Sequence, residues 1–245
     1  MDYDKYRMSK TEVIKYTLIY AGAAALISYT FYDSLYVIAA FIPAMIFYFK
    51  QVKAELKKAR RERLTRQFTD MIDGVSTAMQ AGYSAENAFH ESYMDMLKLY
   101  GKESLIVSEL ESIFSKLDTG MALELILKDF AQRADTEDIT DFEEIFMIAK
   151  LNGGNMSDII KNTVRIMKDK EDTEKEIRVI LSGRRYEQRI MCIIPFAIIL
   201  YLKVSGVSYI SILYHNPTGA AVMTVCLIIM AGAYYLSRKF IDIKV

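Results

Sequence analysis

The chain has 245 residues, with 31 Lys and Arg against 31 Asp and Glu, so its formal net charge is zero. It lacks Trp and has only 3 Pro, a composition that suits an α-helical protein. The zero charge hides two blocks, a strongly basic Lys50–Arg66 and a Gln67–Arg189 stretch with Asp and Glu in excess. With no basic face on the middle of the chain, nucleic acid is excluded as a partner.

Tyr16 to Phe49 is almost uninterrupted apolar sequence, broken only around Thr30-Phe31-Tyr32-Asp33-Ser34. As one straight helix it would run about 50 Å, whereas a hydrocarbon core is about 30 Å thick. Two spans are therefore expected, Tyr16–Tyr32 and Leu35–Phe49, joined by a tight turn at Asp33, with Lys50 snorkelling at the end of the second. A cleaved signal peptide is the competing reading, on the small residues Ala21-Gly22-Ala23-Ala24-Ala25. It is disfavoured because Lys15 leaves too short an apolar core before that site and apolar sequence continues past it.

The basic stretch holds Lys50, Lys53, Lys57, Lys58, Arg60, Arg61, Arg63 and Arg66. Two readings stand for it. Lys53, Lys57, Lys58, Arg60, Arg61 and Arg63 sit on anionic lipid headgroups, or the whole run simply enforces topology.

Beyond it, helical spacing recurs with punctuation between segments. Phe68, Met71, Ile72, Val75 and Met79 form one apolar stripe that stops at Ala81-Gly82. Ser84 is the N-cap of the next helix, with Glu86 in its first turn and Ala88, Phe89 and Tyr93 facing inward. Ile106, Leu110, Ile113, Phe114 and Leu117 follow, closed by Asp118-Thr119-Gly120. Leu123, Ile126, Leu127 and Phe130 make the next stripe. Ile139, Phe142, Phe146 and Ala149 come after the acidic opening Asp135-Thr136-Glu137-Asp138. Asn152-Gly153-Gly154-Asn155 stops that helix, and Asn155 with Asp158 caps a longer one whose inner face is Met156, Ile159, Ile160, Thr163 and Met167. From Lys168 to Arg189 this last helix is mostly charged, with Ile177, Ile180 and Leu181 as apolar marks, and no Pro interrupts it before Pro195. It is expected to run straight into the membrane.

Ile190–Leu202 and Gly219–Leu236 are the third and fourth expected spans. Lys203 is placed at the outer interface, where its stem can snorkel. Basic residues cluster after the second span, before the third (Arg184, Arg185, Arg189) and after the fourth (Arg238, Lys239, Lys244). The Asp33 turn has none and the later loop only Lys203, so both termini and the middle are expected to be cytoplasmic. Cys192 and Cys226 fall at different depths of the spans and read as small apolar residues, with no disulfide. The expected organisation is all-α: residues 1–49 a terminal segment and hairpin, 50–66 a basic juxtamembrane helix, 67–189 a six-helix bundle, and 190–245 a second hairpin with a short tail.

Catalytic patterns are missing. Tyr100-Gly101-Lys102-Glu103-Ser104 lacks the first Gly of a phosphate loop, since Met96 holds that place, and has Glu103 after the Lys. His90-Glu91 has Met94 where a zinc-protease helix needs its second His. Gly153-Gly154 joins two helices, so it is no dinucleotide loop. Asp135, Glu137, Asp138, Asp141, Glu143 and Glu144 could bind a divalent cation or a basic partner surface. The simpler reading, a solvated helix N-terminus using the dipole, is favoured. No cofactor is called for.

The order of these motifs resembles the bacterial type II secretion F-domain family, and within it the tight-adherence protein B (TadB) type of platform protein. The resemblance runs over nearly the whole chain. Arg66-Gln67-Phe68 through Gly82-Tyr83-Ser84 is similar to the family's opening helix and Gly-aromatic turn, and Glu109 falls where the family tends to carry a glutamate. Asp129-Phe130-Ala131-Gln132-Arg133, Asp138 to Phe142, and Ala149 to Met156 with its Gly-Gly junction resemble the middle. Arg184 to Pro195 and Arg238 to Val245 resemble the approach to the third span and the ending, while the loop from Lys203 to Gly219 has no counterpart.

The resemblance implies a non-enzymatic inner-membrane platform of a type IV-like (Tad/Flp) pilus or type II-like secretion system. Its implied partners are a cytoplasmic secretion ATPase, a second platform protein (TadC-like) or another copy, pilin subunits and membrane lipids. Candidate partner contacts are Gly82, Glu109, Asp135, Glu137, Asp138, Asp141, Gly153 and Gly154. The alternatives are a small transporter or channel subunit, disfavoured because the spans lack internal charged residues, and a membrane-bound enzyme or signalling protein.

Overall fold

A computed structural model describes Tyr3 and residues 8–33, 38–152, 156–205 and 216–241. Among these residues the only regular structure is helical: α1 (Lys10–Ile27) with a π-helical turn (Ser28–Tyr32), α2 (Ile38–Gln80), α3 (Ala85–Tyr100), α4 (Leu105–Asp118), α5 (Leu123–Ala134), α6 (Glu137–Asn152), α7 (Met156–Val204) and α8 (Pro217–Ile241). The chain divides into two units. The first is Met1–Arg7 with Val52–Thr173, the second Met8–Gln51 with Glu174–Val245.

The first unit is built as the helical spacing predicts. Phe68, Met71, Ile72 and Val75 of α2 are fully buried, and so are Ala88 and Phe89 of α3, while α4 to α7 contribute Leu110, Phe130, Phe142 and Ile160. At the centre the Phe68 ring meets Phe142 edge-on at 5.3 Å and Phe130 at 5.8 Å, an arrangement that aromatic quadrupoles favour. Tyr93, expected to face inward, is only half-buried; it leans on the Phe114 ring and donates a hydrogen bond to Glu111. Gly74 lies where α3 crosses α2. A side chain there would run into Ser92, whose hydroxyl donates to the Met71 carbonyl at 2.8 Å.

Caps set the ends. The Ser84 hydroxyl accepts the Asn87 N–H, and the Ser104 hydroxyl accepts that of Val107. Glycine with positive φ closes α2 (Gly82, 97°) and α4 (Gly120, 81°). After α2, the Gly82 N–H donates to the Met79 carbonyl and the Tyr83 N–H to that of Ala78, which satisfies two carbonyls the helix end leaves open.

The limits of two helices and of the bundle differ from expectation, while α7 runs on continuously as expected. α1 starts at Lys10 and not at Tyr16, because the Glu12 carboxylate reaches back to the Ser9 N–H at 2.8 Å and supports an extra polar turn. α2 carries the basic stretch 50–66 inside one 43-residue helix. That stretch is no separate element: no Gly or Pro stands between Gln51 and Gly74, and Lys, Arg, Glu, Ala and Leu all propagate a helix. Val52 and Leu64, on the expected juxtamembrane helix, are buried in the first unit. α7 is a single helix of 49 residues with Pro195 inside it. Its last buried residue is Met167; the expected apolar mark Ile180 and its neighbour Val179 are almost three-quarters exposed. The limits of the bundle are therefore Val52 and Thr173, short of the expected Arg189.

The second unit keeps few side chains inside. Its small core is Phe31 and Met223, packed by Ile27, Tyr32, Phe196, Ile199, Leu227 and Met230. The Tyr20 hydroxyl donates to the Phe41 carbonyl at 2.6 Å, and the Tyr20 and Tyr48 rings are 5.1 Å apart, so α1 lies against the start of α2. Leu18, Ile46, Met191, Tyr201 and Ile229 all point outward. Two stretches among the described residues are long and apolar enough to cross a membrane, Lys10–Tyr32 and Thr218–Ser237. Of the other two expected spans, Leu35–Phe49 and Ile190–Leu202, the described parts 38–49 and 190–202 are the apolar ends of α2 and α7, and neither is among the stretches that meet this measure.

Candidate functional site

Two polar clusters stand out, one in each unit. In the first unit Glu109 is 1% exposed. A carboxylate so far from water must be paired, and Arg133 meets it with both terminal guanidinium nitrogens, at 2.9 and 2.8 Å. Arg133 also donates from Nε to Asp129 at 3.0 Å, and Lys116 reaches the same Asp129 oxygen. Hydrogen bonding to Glu109, above all, raises the Arg133 pKa, and the Lys116 bond is the main cause holding Asp129 below the usual carboxylate value.

Tyr3 completes this cluster. Its hydroxyl donates to Glu109 Oε1 at 2.8 Å, its N–H points to the Arg133 carbonyl at 3.4 Å, and the Arg60 guanidinium lies 5.0 Å from its ring centre. Burial, then the adjacent Glu109 charge, pushes the phenol pKa well up. Glu109 is thus no open partner contact in this conformation, because its oxygens are engaged inside the bundle.

The other candidates separate. Gly82 is an exposed turn whose positive φ ends α2. Asp135, also at positive φ, caps α5 and pairs with Arg61. Glu137 and Asp138 both accept from Lys170 on α7, and the Asp138 bond is the main reason the Lys170 pKa rises. Asp141 is exposed; partial desolvation first, then the charges of Glu137 and Asp138, lifts its pKa. Among the described residues no group of His, Cys, Asp or Glu is arranged to hold a metal ion. Gly153 and Gly154 lie outside the described residues.

The candidate lipid-facing cations divide as well. Arg60 and Arg61 are turned to Tyr3 and Asp135, so they are corrected from headgroup contacts to parts of the bundle. Lys53, Lys58 and Arg63 are exposed, with Lys58 beside Glu62, and Lys57 is half-buried. His90 stacks on Phe114 at 3.9 Å. Cys192 is half-buried and Cys226 exposed, both as free thiols.

The second cluster joins residues far apart in sequence. Lys203 Nζ donates to Asp33 Oδ1 at 2.6 Å and to the Tyr29 carbonyl at 2.7 Å, and sits 3.5 Å from the Tyr29 ring centre. Beside it Tyr32 shares a 2.8 Å hydrogen bond with Thr224 of α8, and Phe31 meets Phe196 of α7 edge-on. Asp33 adopts a left-handed conformation at the end of the π-helical turn, which aims its carboxylate at this cluster. The turn is the hub where α1, α7 and α8 converge.

Sequence reasoning missed Tyr3, the partners of Lys203 and the role of Arg133. Asp129 and Arg133, four apart on one helix, carried a readable signal. Tyr3 carried none. Comparison with models of known families, with curated proteins and with solved structures gives no match.

Proposed function

We propose that the chain is a non-enzymatic membrane platform, with four spans and a cytoplasmic six-helix bundle, that couples a cytoplasmic secretion ATPase to pilin assembly or export. The observation that carries this is α7. One uninterrupted helix contributes Ile160, Val164 and Met167 to the bundle core and Phe196 and Ile199 to the packed part of the second unit. A displacement imposed on the bundle at one end of such a helix is carried along its backbone to the other. Between them, 174–189 lies mostly exposed.

Topology follows from the same reading. Lys203 and Asp33 touch, so they lie on one side of the bilayer, and the chain crosses it an even number of times between them. The apolar ends of α2 and α7 supply two crossings. Together with α1 and α8 they make four spans arranged as two hairpins, the basic clusters placing the bundle in the cytoplasm of a bacterial inner membrane. The exposed Lys53, Lys58 and Arg63 face anionic headgroups. A second platform protein or another copy, and pilin subunits, complete the assembly. Exposed Asp141 and the Gly82 turn offer surface to the motor.

Replacing Asp172 by Gly together with Thr173 by Pro interrupts α7 at the edge of the bundle. Bundle folding and copurification with the ATPase should persist while pilus assembly or secretion stops. Normal assembly with this helix broken would overturn the coupling role, and failure of the wild-type chain to copurify with any secretion ATPase would overturn the platform reading.

A further inference from the structure

The later part of α7 carries an apolar stripe with the alternating four- and three-residue steps of a heptad seam. Val179, Gly183, Tyr186 and Ile190 are all exposed, and the same spacing continues through Ile193, Ala197, Leu200 and Val204, exposed as well. The opposite side of the helix behaves differently. Glu174, Leu181, Gln188, Pro195 and Leu202 recur at the heptad interval and are all half-buried. The helix thus keeps one face partly covered and leaves the stripe open over about 38 Å, a length of roughly three and a half heptads. All of it lies in the second unit.

Hydrocarbon would account for the stripe beyond Ile190 but not before it. Val179 is 72% and Tyr186 67% exposed, yet Arg178, Arg184, Arg185, Glu187 and Arg189 stand around them, and so many charges belong in water. A stripe that passes unbroken from water into a span fits a helix with the same change of surroundings along its length. A second α7 has that change. Its stripe is self-complementary, because each layer of a parallel pair sets a residue against its own copy. No charge enters the stripe from Val179 to Val204, and the next position back, Glu176, ends it. Gly183, with nothing within 4 Å of the place a side chain would fill, lets two backbones come close. The edges match too. Glu187 flanks the stripe on one side and Arg189 on the other, so a twofold axis turns each Glu187 edge toward an Arg189 edge.

We infer that α7 pairs with α7 of a second copy of this chain along this stripe, as a parallel coiled coil that begins at Val179. The direction is parallel because copies inserted in one membrane share it. The inference rests on the membrane part of the reading above and does not involve the ATPase.

Disulfide crosslinking of the full chain in isolated membranes tests it. With Cys192 and Cys226 replaced by Ser, single cysteines are placed on the stripe (Val179→Cys, Gly183→Cys, Tyr186→Cys) or away from it (Arg178→Cys, Arg185→Cys). Mild oxidation should give several-fold more homodimer at the stripe positions than at the other two. Gly183→Glu sets two carboxylates together on the axis and meets nothing in the single chain. It should abolish crosslinking through Tyr186→Cys, whereas Gly183→Ala should preserve it. Equal crosslinking at all five positions would be random collision and would overturn the pairing. So would a membrane-held chain that gives no homodimer at the stripe positions. A chain that alkaline carbonate strips from the membrane would overturn the membrane reading, and the pairing with it.

Discussion

The two units solve the same problem with opposite surfaces. In the first, Phe68, Phe89, Phe130, Phe142 and Phe146 are buried and the charges lie outside or in paired networks. In the second, large apolar residues such as Leu18, Ile46, Met191 and Ile229 face outward, and Lys203 pairs with Asp33 at the end of the π-helical turn. Water drives the first arrangement through apolar burial. In hydrocarbon that force is absent, and packing and internal hydrogen bonds hold helices together. A monomer in water rarely exposes apolar surface on this scale. The contrast fits water around the first unit and hydrocarbon around the two stretches of the second that are long and apolar enough to cross a membrane.

The comparison breaks most visibly in the aromatic core. Phe68→Ala should cost about 3–5 kcal/mol of bundle stability, read by denaturant unfolding followed by circular dichroism. Ile46→Ala, at a side chain 77% exposed, should stay within about 0.5 kcal/mol in the same assay. Equal losses would mean that the second unit is an ordinary water-soluble core. Next in size is a charge placed on the two surfaces. Ile229→Lys should impair membrane integration by about 3 kcal/mol, as a lysine near a span centre does. Leu125→Lys, at a comparably exposed site of the first unit, should be nearly silent.

Removing Glu109 sharpens the account of the first unit. Glu109→Ala leaves Arg133 facing an emptied interior and should cost about 3 kcal/mol in thermal unfolding, whereas Glu109→Gln, which still accepts a donor, should cost less. Gly82→Ala forces a side chain into positive φ and should cost about 1 kcal/mol. A further effect is alkaline. Burial and the hydrogen bond to Asp70 push the Tyr100 phenol from 10.0 up to about 12. The folded state then binds this proton more tightly than the unfolded one. The stability it contributes is complete below pH 10 and is lost as pH rises through 12. Tyr100→Phe should remove that part of the alkaline loss.

Much of the first unit is legible because each helix announces itself twice, by an apolar stripe and by a cap such as Ser84, Ser104 or Gly82. The start of α1 was not, since Ser9 and Glu12 precede the apolar run that defines a span. The continuity of α2 was obscured because Lys50–Arg66 changes composition without changing helix propensity. Long-range pairs left no trace at all. Tyr3 and Glu109 are 106 residues apart, Asp33 and Lys203 170, and no local period connects them. The candidate site suffered most from this. Glu109, Arg60 and Arg61 looked like surface groups because charge reads as exposure until its partner is known.

Thiol labelling in intact cells tests the proposed topology most directly, in which a water-adapted bundle and a membrane unit share one chain and the Asp33 turn and Asn216 lie outside. With Cys192 and Cys226 replaced by Ser, single cysteines are placed at Ser34, Asn216 and Lys102 and exposed to a membrane-impermeant maleimide. Ser34→Cys and Asn216→Cys should label in intact cells, and Lys102→Cys only after permeabilisation. Labelling of Ser34→Cys and Asn216→Cys from opposite sides, or of Lys102→Cys in intact cells, would contradict the account.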